Sequence, residues 1–254
     1  MKYFIIVMLL FFNLLAQQSK QNLTIGAGVF FQSQPYKGAT TLILPSPIIF
    51  FDNSVVYARW SRFGLYFLGD KKEKYSWGFS FTVQPRTLGY NSSDANFLKG
   101  MDERESTLEG GIALSAISQN STYIEVMLLA DIMNKHKSWI GKVEVGNEFK
   151  AGAFTFYPSL VMLYQPRKFI DYYYGVKNSE TTINRLAYSP NSGFTFGMQT
   201  YIKYPLTNKL SAFFNVRADK IPSSAYKSPL VNNKFIYSGL ASLIYQPNPM
   251  KIKK

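Results

Sequence analysis

The run GFTFGMQTYIKY at residues 193–204, followed by PLTNK at 205–209 and LSAFFNVRAD at 210–219, decides how the rest of the chain is read. In the first run Phe194, Phe196, Met198, Thr200, Ile202 and Tyr204 share one face, and Thr195, Gly197, Gln199, Tyr201 and Lys203 share the other. In the second, Leu210, Ala212, Phe214, Val216 and Ala218 oppose Ser211, Asn215, Arg217 and Asp219. A period of two is the signature of a β-strand. Pro205, Thr207 and Asn208 supply turn chemistry between the runs. Each strand is long enough to cross a hydrocarbon layer when tilted and keeps one uninterrupted apolar face. The hairpin reads as part of a membrane β-barrel.

The same alternation extends outward in both directions. Leu23, Ile25, Ala27, Val29 and Phe31 share a face; Tyr75, Trp77, Phe79, Phe81 and Val83 oppose Ser76, Gly78, Ser80, Thr82 and Gln84. Ile124, Val126, Leu128 and Ala130 oppose Tyr123, Glu125, Met127 and Asp131. The stretch 42–68 reads as two strands turning near Asp52-Asn53-Ser54, with Pro45 and Pro47 confining the first to an edge, a start or a bulge. Arg59 and Arg62 differ in parity there, which calls for a bulge or a shorter membrane part. Eleven strands are clear, with an extra one possible around Phe169 to Tyr174; bacterial barrels close with even numbers, so ten to twelve strands are expected and twelve is favoured. Long irregular intervals at Gly89 to Glu105 and Gln165 to Ser192 belong to the extracellular side, because periplasmic turns are short.

Glu125, Asp131, Lys142, Glu144, Glu148, Lys203 and Arg217 fall on the less apolar faces and are candidate lumen charges. Mixed signs suit a solvated lumen and suit a dry interior poorly. The competing architecture is a soluble β-sandwich with these charges outside and the aromatics within. Aromatic content of 17%, with 21 Phe and 18 Tyr, fits interfacial girdles or such a core. Residues 1–16, MKYFIIVMLLFFNLLA, read as a signal peptide: the apolar run is too short to span and polar sequence follows. The remainder, 17–254, reads as one barrel located in the outer membrane.

The formal charge of +13 is scattered over turns and strand ends, without the basic stripe and stacking aromatics of a nucleic-acid groove, so no nucleic-acid partner is expected. Phosphates of lipopolysaccharide and outer-membrane lipid, or peptidoglycan carboxylates, suit such a surface better. There are no cysteines and one histidine, His136, set in the polar segment Asn134–Ser138 and read as a solvated turn residue, not a catalytic base. No catalytic residue, metal site or cofactor is expected. Tyr172, Tyr173 and Tyr174 read as interfacial girdle residues, with a glycan-stacking platform as the functional alternative.

Asp171-Tyr-Tyr-Tyr-Gly-Val176, followed at a distance by Ser228-Pro229-Leu-Val231 and a final strand, resembles the MipA/OmpV family of MltA-interacting outer-membrane proteins. Pro35-Tyr36-Lys37-Gly38, Leu44-Pro45-Ser46-Pro47 and Leu98-Lys99-Gly100-Met101-Asp102 are similar to elements in the same family order. The resemblance implies an outer-membrane barrel without catalytic residues, in some members a scaffold joining a lytic murein transglycosylase to a bifunctional penicillin-binding protein. A porin-like channel for small solutes is the alternative. The motif residues Tyr173, Tyr174, Gly175, Val176, Ser228 and Pro229 are carried over as structural or binding positions. One departure is the C-terminus, where Tyr245 is followed by QPNPMKIKK instead of closing the chain on an aromatic residue.

Overall fold

A computed structural model describes residues 23–72 and 74–247. The expected signal peptide and the last seven residues of the C-terminal tail lie outside the described residues. The chain forms β1 (Thr24–Gln32), β2 (Leu42–Asp52), β3 (Val56–Arg59), β4 (Arg62–Lys71), β5 (Tyr75–Arg86), β6 (Thr107–Ser118), β7 (Tyr123–Asp131), β8 (Trp139–Gly146), β9 (Phe149–Ala151) and β10 (Phe154–Gln165). Helix α1 (Arg167–Tyr174) comes next, followed by β11 (Gly193–Pro205), β12 (Leu210–Lys220), the short α2 (Ser223–Tyr226) and β13 (Phe235–Tyr245).

Every strand pairing is antiparallel, and the sheet closes on itself where β1 meets β13, from Ile25↔Tyr245 to Gln32↔Ser238. β8 and β9 both pair with β10 and are successive parts of one stave, so the barrel has twelve. Closure pairs the first strand with the last, so neither is left as a free sheet edge.

Burial inverts that of a soluble sandwich. Val29, Ile112, Leu128, Leu160, Met198, Val216 and Leu243 point outward and are exposed, whereas Ser80, Thr82, Glu125, Glu144, Gln199 and Asn215 point inward and are buried. Apolar-out and polar-in alternation is what a lipid solvent selects. Aromatic residues ring both rims: Phe149, Phe154 and Tyr204 on the rim of short turns, Trp139, Phe194, Phe235 and Tyr237 on the other. The sandwich alternative is thereby replaced by the membrane barrel.

The connections at 53–55, 72–74, 119–122 and 206–209 cluster on one rim with the start of β1 and the end of β13, and those at 33–41, 87–106, 132–138, 166–192 and 221–234 on the other. By the usual asymmetry of outer-membrane barrels the long loops face outward.

Two sequence expectations are corrected here. The region 42–68 holds three strands, not two: Trp60–Ser61 is a turn that sets Arg59 opposite Arg62 across β3 and β4. Their unlike parity comes from that turn, and both arginines reach the lumen. Phe169 to Tyr174 is helical, not an extra strand; Phe169, Ile170, Tyr173 and Tyr174 are the buried residues, the i, i+1, i+4, i+5 spacing of one helix face. The twelfth stave is therefore β3.

Candidate functional site

Two regions of side chains meet inside the barrel: a charged lumen open toward the short-turn rim and an apolar cap beneath the long loops. The lumen is a cavity of about 1570 Å³. Glu125 of β7 is its best-connected acid. It accepts from Arg62 Nη1 at 2.5 Å and Nη2 at 2.9 Å, Arg59 Nη1 at 3.2 Å and Ser115 Oγ at 2.7 Å. Both guanidinium groups also lie over the Tyr57 ring, at 4.4 and 5.7 Å. Tyr57 itself fills the space that a side chain at the facing Gly64 would occupy.

A second cluster forms around Glu144 of β8. Its carboxylate pairs with Lys142 at 2.8 Å and accepts from Tyr123 Oη, Ser159 Oγ and Gln199 Nε2 at 2.9, 2.9 and 2.8 Å. Arg217 holds Asp219 through Nε at 2.6 Å and Nη2 at 2.8 Å. Lys203 lines the same cavity. Buried charges persist only when matched and hydrogen-bonded, and Glu125, Glu144 and Arg217 are.

Of the proposed lumen charges, Glu125, Lys142, Glu144, Lys203 and Arg217 line the cavity, while Asp131 and Glu148 do not. Asp131 stands at the outer end of β7, where it accepts from Thr107 Oγ1 and from the backbone N–H groups of Met133 and Lys137, tying down the 132–138 loop. Glu148 sits in the β8–β9 break on the opposite rim, 3.9 Å from Lys150. Arg59, Arg62 and Asp219 also line the lumen; the parity clash was the signal for Arg59 and Arg62, and Asp219 shares the polar face of Arg217 in the sequence.

The cap closes the long-loop end. Tyr36, Tyr90, Leu98, Phe169, Ile170, Tyr173, Tyr174 and Leu230, drawn from four loops, pack into one buried cluster. Tyr173 and Tyr174 are 0% and 2% exposed, so they are core and not girdle. Burial pushes the phenols of Tyr36, Tyr173 and Tyr174 upward, and they stay neutral at working pH.

The two parts of the family-like motif meet in this cap. Ser228 Oγ donates to the Tyr174 carbonyl at 2.6 Å across 54 residues of sequence, satisfying a helix-end acceptor, and Leu230 N–H donates back to the same hydroxyl at 3.2 Å. A side chain at Gly175 would collide with the Asp171 carbonyl, which accepts the Gly175 N–H. Val176 bridges to Tyr188, and Pro229 follows Ser228 into the buried Leu230.

Polar bonds lace the loops together. Arg104 grips Glu180 at 2.8 and 3.0 Å, and Glu180 also accepts from the Asp102 and Lys177 backbones. Arg185 donates to the carbonyls of Phe97, Lys99 and Glu180. Outside, Lys177 Nζ meets Asp102 at 2.6 Å and holds that carboxyl below its ordinary range.

His136 is corrected from a solvated turn residue to a buried one, 2% exposed, with its ring against Phe169, Tyr172 and Tyr173. Glu109 Oε1 lies 3.6 Å from Nε2, beyond hydrogen-bond range, and neither ring nitrogen has a partner. Glu109 is engaged instead by Arg86 through two bonds of 2.8 Å.

A smaller external cavity of about 850 Å³, bordered by Arg104, Tyr172 and Tyr188, lies above the cap and shares no lining residue with the lumen. The lumen and this cavity are thus separate spaces with the cap between them.

Comparison with known proteins places these features. The family model described as "MltA-interacting protein MipA" matches residues 25–247. The "Putative outer membrane protein YiaT" of Escherichia coli (strain K12) is 25% identical over 228 residues, covering 89% of this chain and 92% of that relative. The "MltA-interacting protein" of the same strain is 23% identical over 222 residues, 86% and 87% of the two chains. "Outer membrane protein OmpV" of Vibrio cholerae serotype O1 is 25% identical over 146 residues, 58% and 56% respectively.

Proposed function

The chain belongs to the MltA-interacting protein MipA family, and from that membership we propose that this outer-membrane barrel is a binding scaffold and not a catalyst. On this reading its periplasmic turns contact cell-wall enzymes, a lytic murein transglycosylase and a penicillin-binding protein. Its lipid face meets outer-membrane lipid and lipopolysaccharide. One relative is named for interaction with MltA, which motivates the partner class.

The observation that carries the reading is the sealed mouth. Phe169, Ile170 and Tyr173 are fully buried in the cap, and the lumen and the external cavity share no lining residue, which supports a barrel closed by its long loops. A pore lined by charge is a channel only if both ends are open. What the closed barrel offers instead is a rigid periplasmic rim, with Lys72, Lys74, Lys150 and Lys209 exposed on it.

A photo-crosslinking residue in the 119–122 or 206–209 turn, in living cells, tests this directly. Adducts containing a murein transglycosylase or penicillin-binding protein are expected from those turns and not from the 166–192 loop. Planar-bilayer recording of the purified barrel is the complementary measurement. A steady unitary current with the cap intact would replace the scaffold reading by the small-solute channel.

A further inference from the structure

The wall between β2 and β5 is incomplete in its outer half. β2 pairs with β1 from Leu42 to Phe50, yet it meets β3 only at Phe50, Phe51 and Asp52. β3 turns back at Trp60–Ser61, and β4 first meets β5 at Phe63↔Val83. Leu42–Ile48 on one side and Gln84–Arg86 on the other therefore have no strand between them. At about 3.3 Å per residue the β2 side of this slot is roughly 20 Å long. Above it the loops close, with Thr87 Oγ1 bonded to Gln32 at 2.8 Å and the Tyr36 and Tyr90 rings 4.6 Å apart.

Both edges are prepared for exposure. Trp60 N–H donates to the Ile49 carbonyl, so the odd-numbered peptide groups of β2 point into the slot, where Pro45 and Pro47 have no N–H to leave unpaired. Lys72 N–H donates to the Tyr75 carbonyl, so the odd-numbered groups of β5 point the same way, and Pro85 stands there. Removing donors matters at membrane depth, where unpaired backbone is tolerated only beside a cavity or a ligand. Ile43, Phe63 and Val83 are exposed on the lipid face around the opening.

The sill is built from a strained residue. Trp60 has φ of 59°, a conformation bulky residues avoid, and is held by its Nε1 bond to Ser46 Oγ at 2.8 Å and by the Phe30 ring at 5.7 Å. Leu44 and Pro45 of β2 and Gln84 and Pro85 of β5 line the lumen on the two sides of the slot. Just inside, Phe30, Ile48, Phe50 and Phe213 make an apolar patch; Arg59 and Arg62 flank the sill and carry the surface on to Glu125.

We propose that the slot is a lateral binding site for a single-chain amphiphile drawn from the surrounding bilayer. Its hydrocarbon tail lies against Phe30, Leu44, Phe50 and Trp60, and its polar head meets the Arg59, Arg62 and Glu125 cluster. The graded lining, apolar at the opening and charged within, matches a molecule with both characters; a bare alkane would leave the charged end unmatched. This site is independent of any periplasmic partner.

The test uses the full barrel in phosphatidylcholine nanodiscs, in a Trp77→Phe/Trp139→Phe variant whose remaining tryptophan is Trp60. Titration with 9,10-dibromostearate is expected to quench Trp60 saturably, at least tenfold below the mole fraction that equally quenches a Trp60→Phe/Trp77→Phe variant reporting from the outward Trp139. Leu44→Glu, or Leu44→Gln if the first does not fold, raises the half-quenching concentration about tenfold while the barrel keeps its heat-modifiable gel mobility. Parallel quenching of Trp60 and Trp139 overturns the proposal, because it reports bulk partition. Equal quenching of Trp60 by a dibromoalkane or by dibrominated phosphatidylcholine overturns it too, since neither is a single-chain amphiphile.

Discussion

Replacing Glu125 by Ala removes the acceptor shared by Arg59 and Arg62, and its cost can be worked from the geometry. Three guanidinium hydrogen bonds of 2.5 to 3.2 Å and one from Ser115 are lost. Breaking a buried pair by deleting one partner costs about 3–5 kcal/mol, because the other charge stays buried and unpaired. Arg62 fits that case, with its side chain 13% exposed, whereas Arg59 is 36% exposed and rehydrates in the lumen, so its share is screened. The expected loss is therefore about 2–3 kcal/mol. Glu125→Gln keeps an acceptor without the charge and costs about 1–2 kcal/mol. The assay is reversible urea unfolding of the barrel in lipid vesicles, followed by gel mobility and tryptophan fluorescence. Combining Glu125→Ala with Arg62→Ala recovers about 1–3 kcal/mol relative to additivity if the two act as one unit. A loss below about 0.5 kcal/mol, the range of ordinary surface changes, together with additivity, would refute the argument that the Arg62–Glu125 pair is shielded enough from lumen water to act as a buried pair.

The cap gives further expectations. Ser228→Ala removes the donor to the Tyr174 carbonyl and costs about 1–2 kcal/mol locally; faster hydrogen exchange in 166–176, with unchanged exchange in the strands, is the readout. Gly175→Ala disturbs the same turn more, through collision with the Asp171 carbonyl, and renders the 166–192 loop protease-sensitive. His136→Phe leaves the unfolding free energy unchanged or raised, since both ring nitrogens lack hydrogen-bond partners among aromatic neighbours, while His136→Ala lowers it by about 2 kcal/mol through the cavity left behind. Asp102 is held below its ordinary carboxylate range by Lys177, so its contribution is complete above the unfolded value of about 3.9 and fades as pH falls through the lower folded value. The protection factors of the cap amides, intrinsic exchange rates divided by those observed at each pH, should therefore be flat from about pH 5 to 8 and fall only below about pH 4, and Lys177→Gln should diminish that fall.

Why some of this was readable in advance follows from range. A strand's period of two is a property of residues i and i+2, and a lipid solvent writes it boldly, since every outward position must be apolar. Hence Phe194, Met198, Val216 and Leu128 announce a membrane barrel from the sequence, and evenness of closure points to twelve staves. Glu125, Lys142, Glu144, Lys203 and Arg217 followed from the same alternation.

Three things were decided only by tertiary structure. The turn at Trp60–Ser61 was hidden because tryptophan carries no turn signal; its left-handed backbone is held by Ser46, fourteen residues back, and by Phe30. The aromatic run at 169–174 has apolar residues at spacings that a short helix and a short strand share, and only the cap's buried face makes it helical. His136 looked solvated among polar neighbours, yet the residues that bury it arrive from a loop thirty positions later. The sequence by itself determined which faces meet lipid, because that demand is local and repeated. What plugs the mouth, and where the wall is left open, depends on contacts such as Ser228 with Tyr174 that local patterning does not encode.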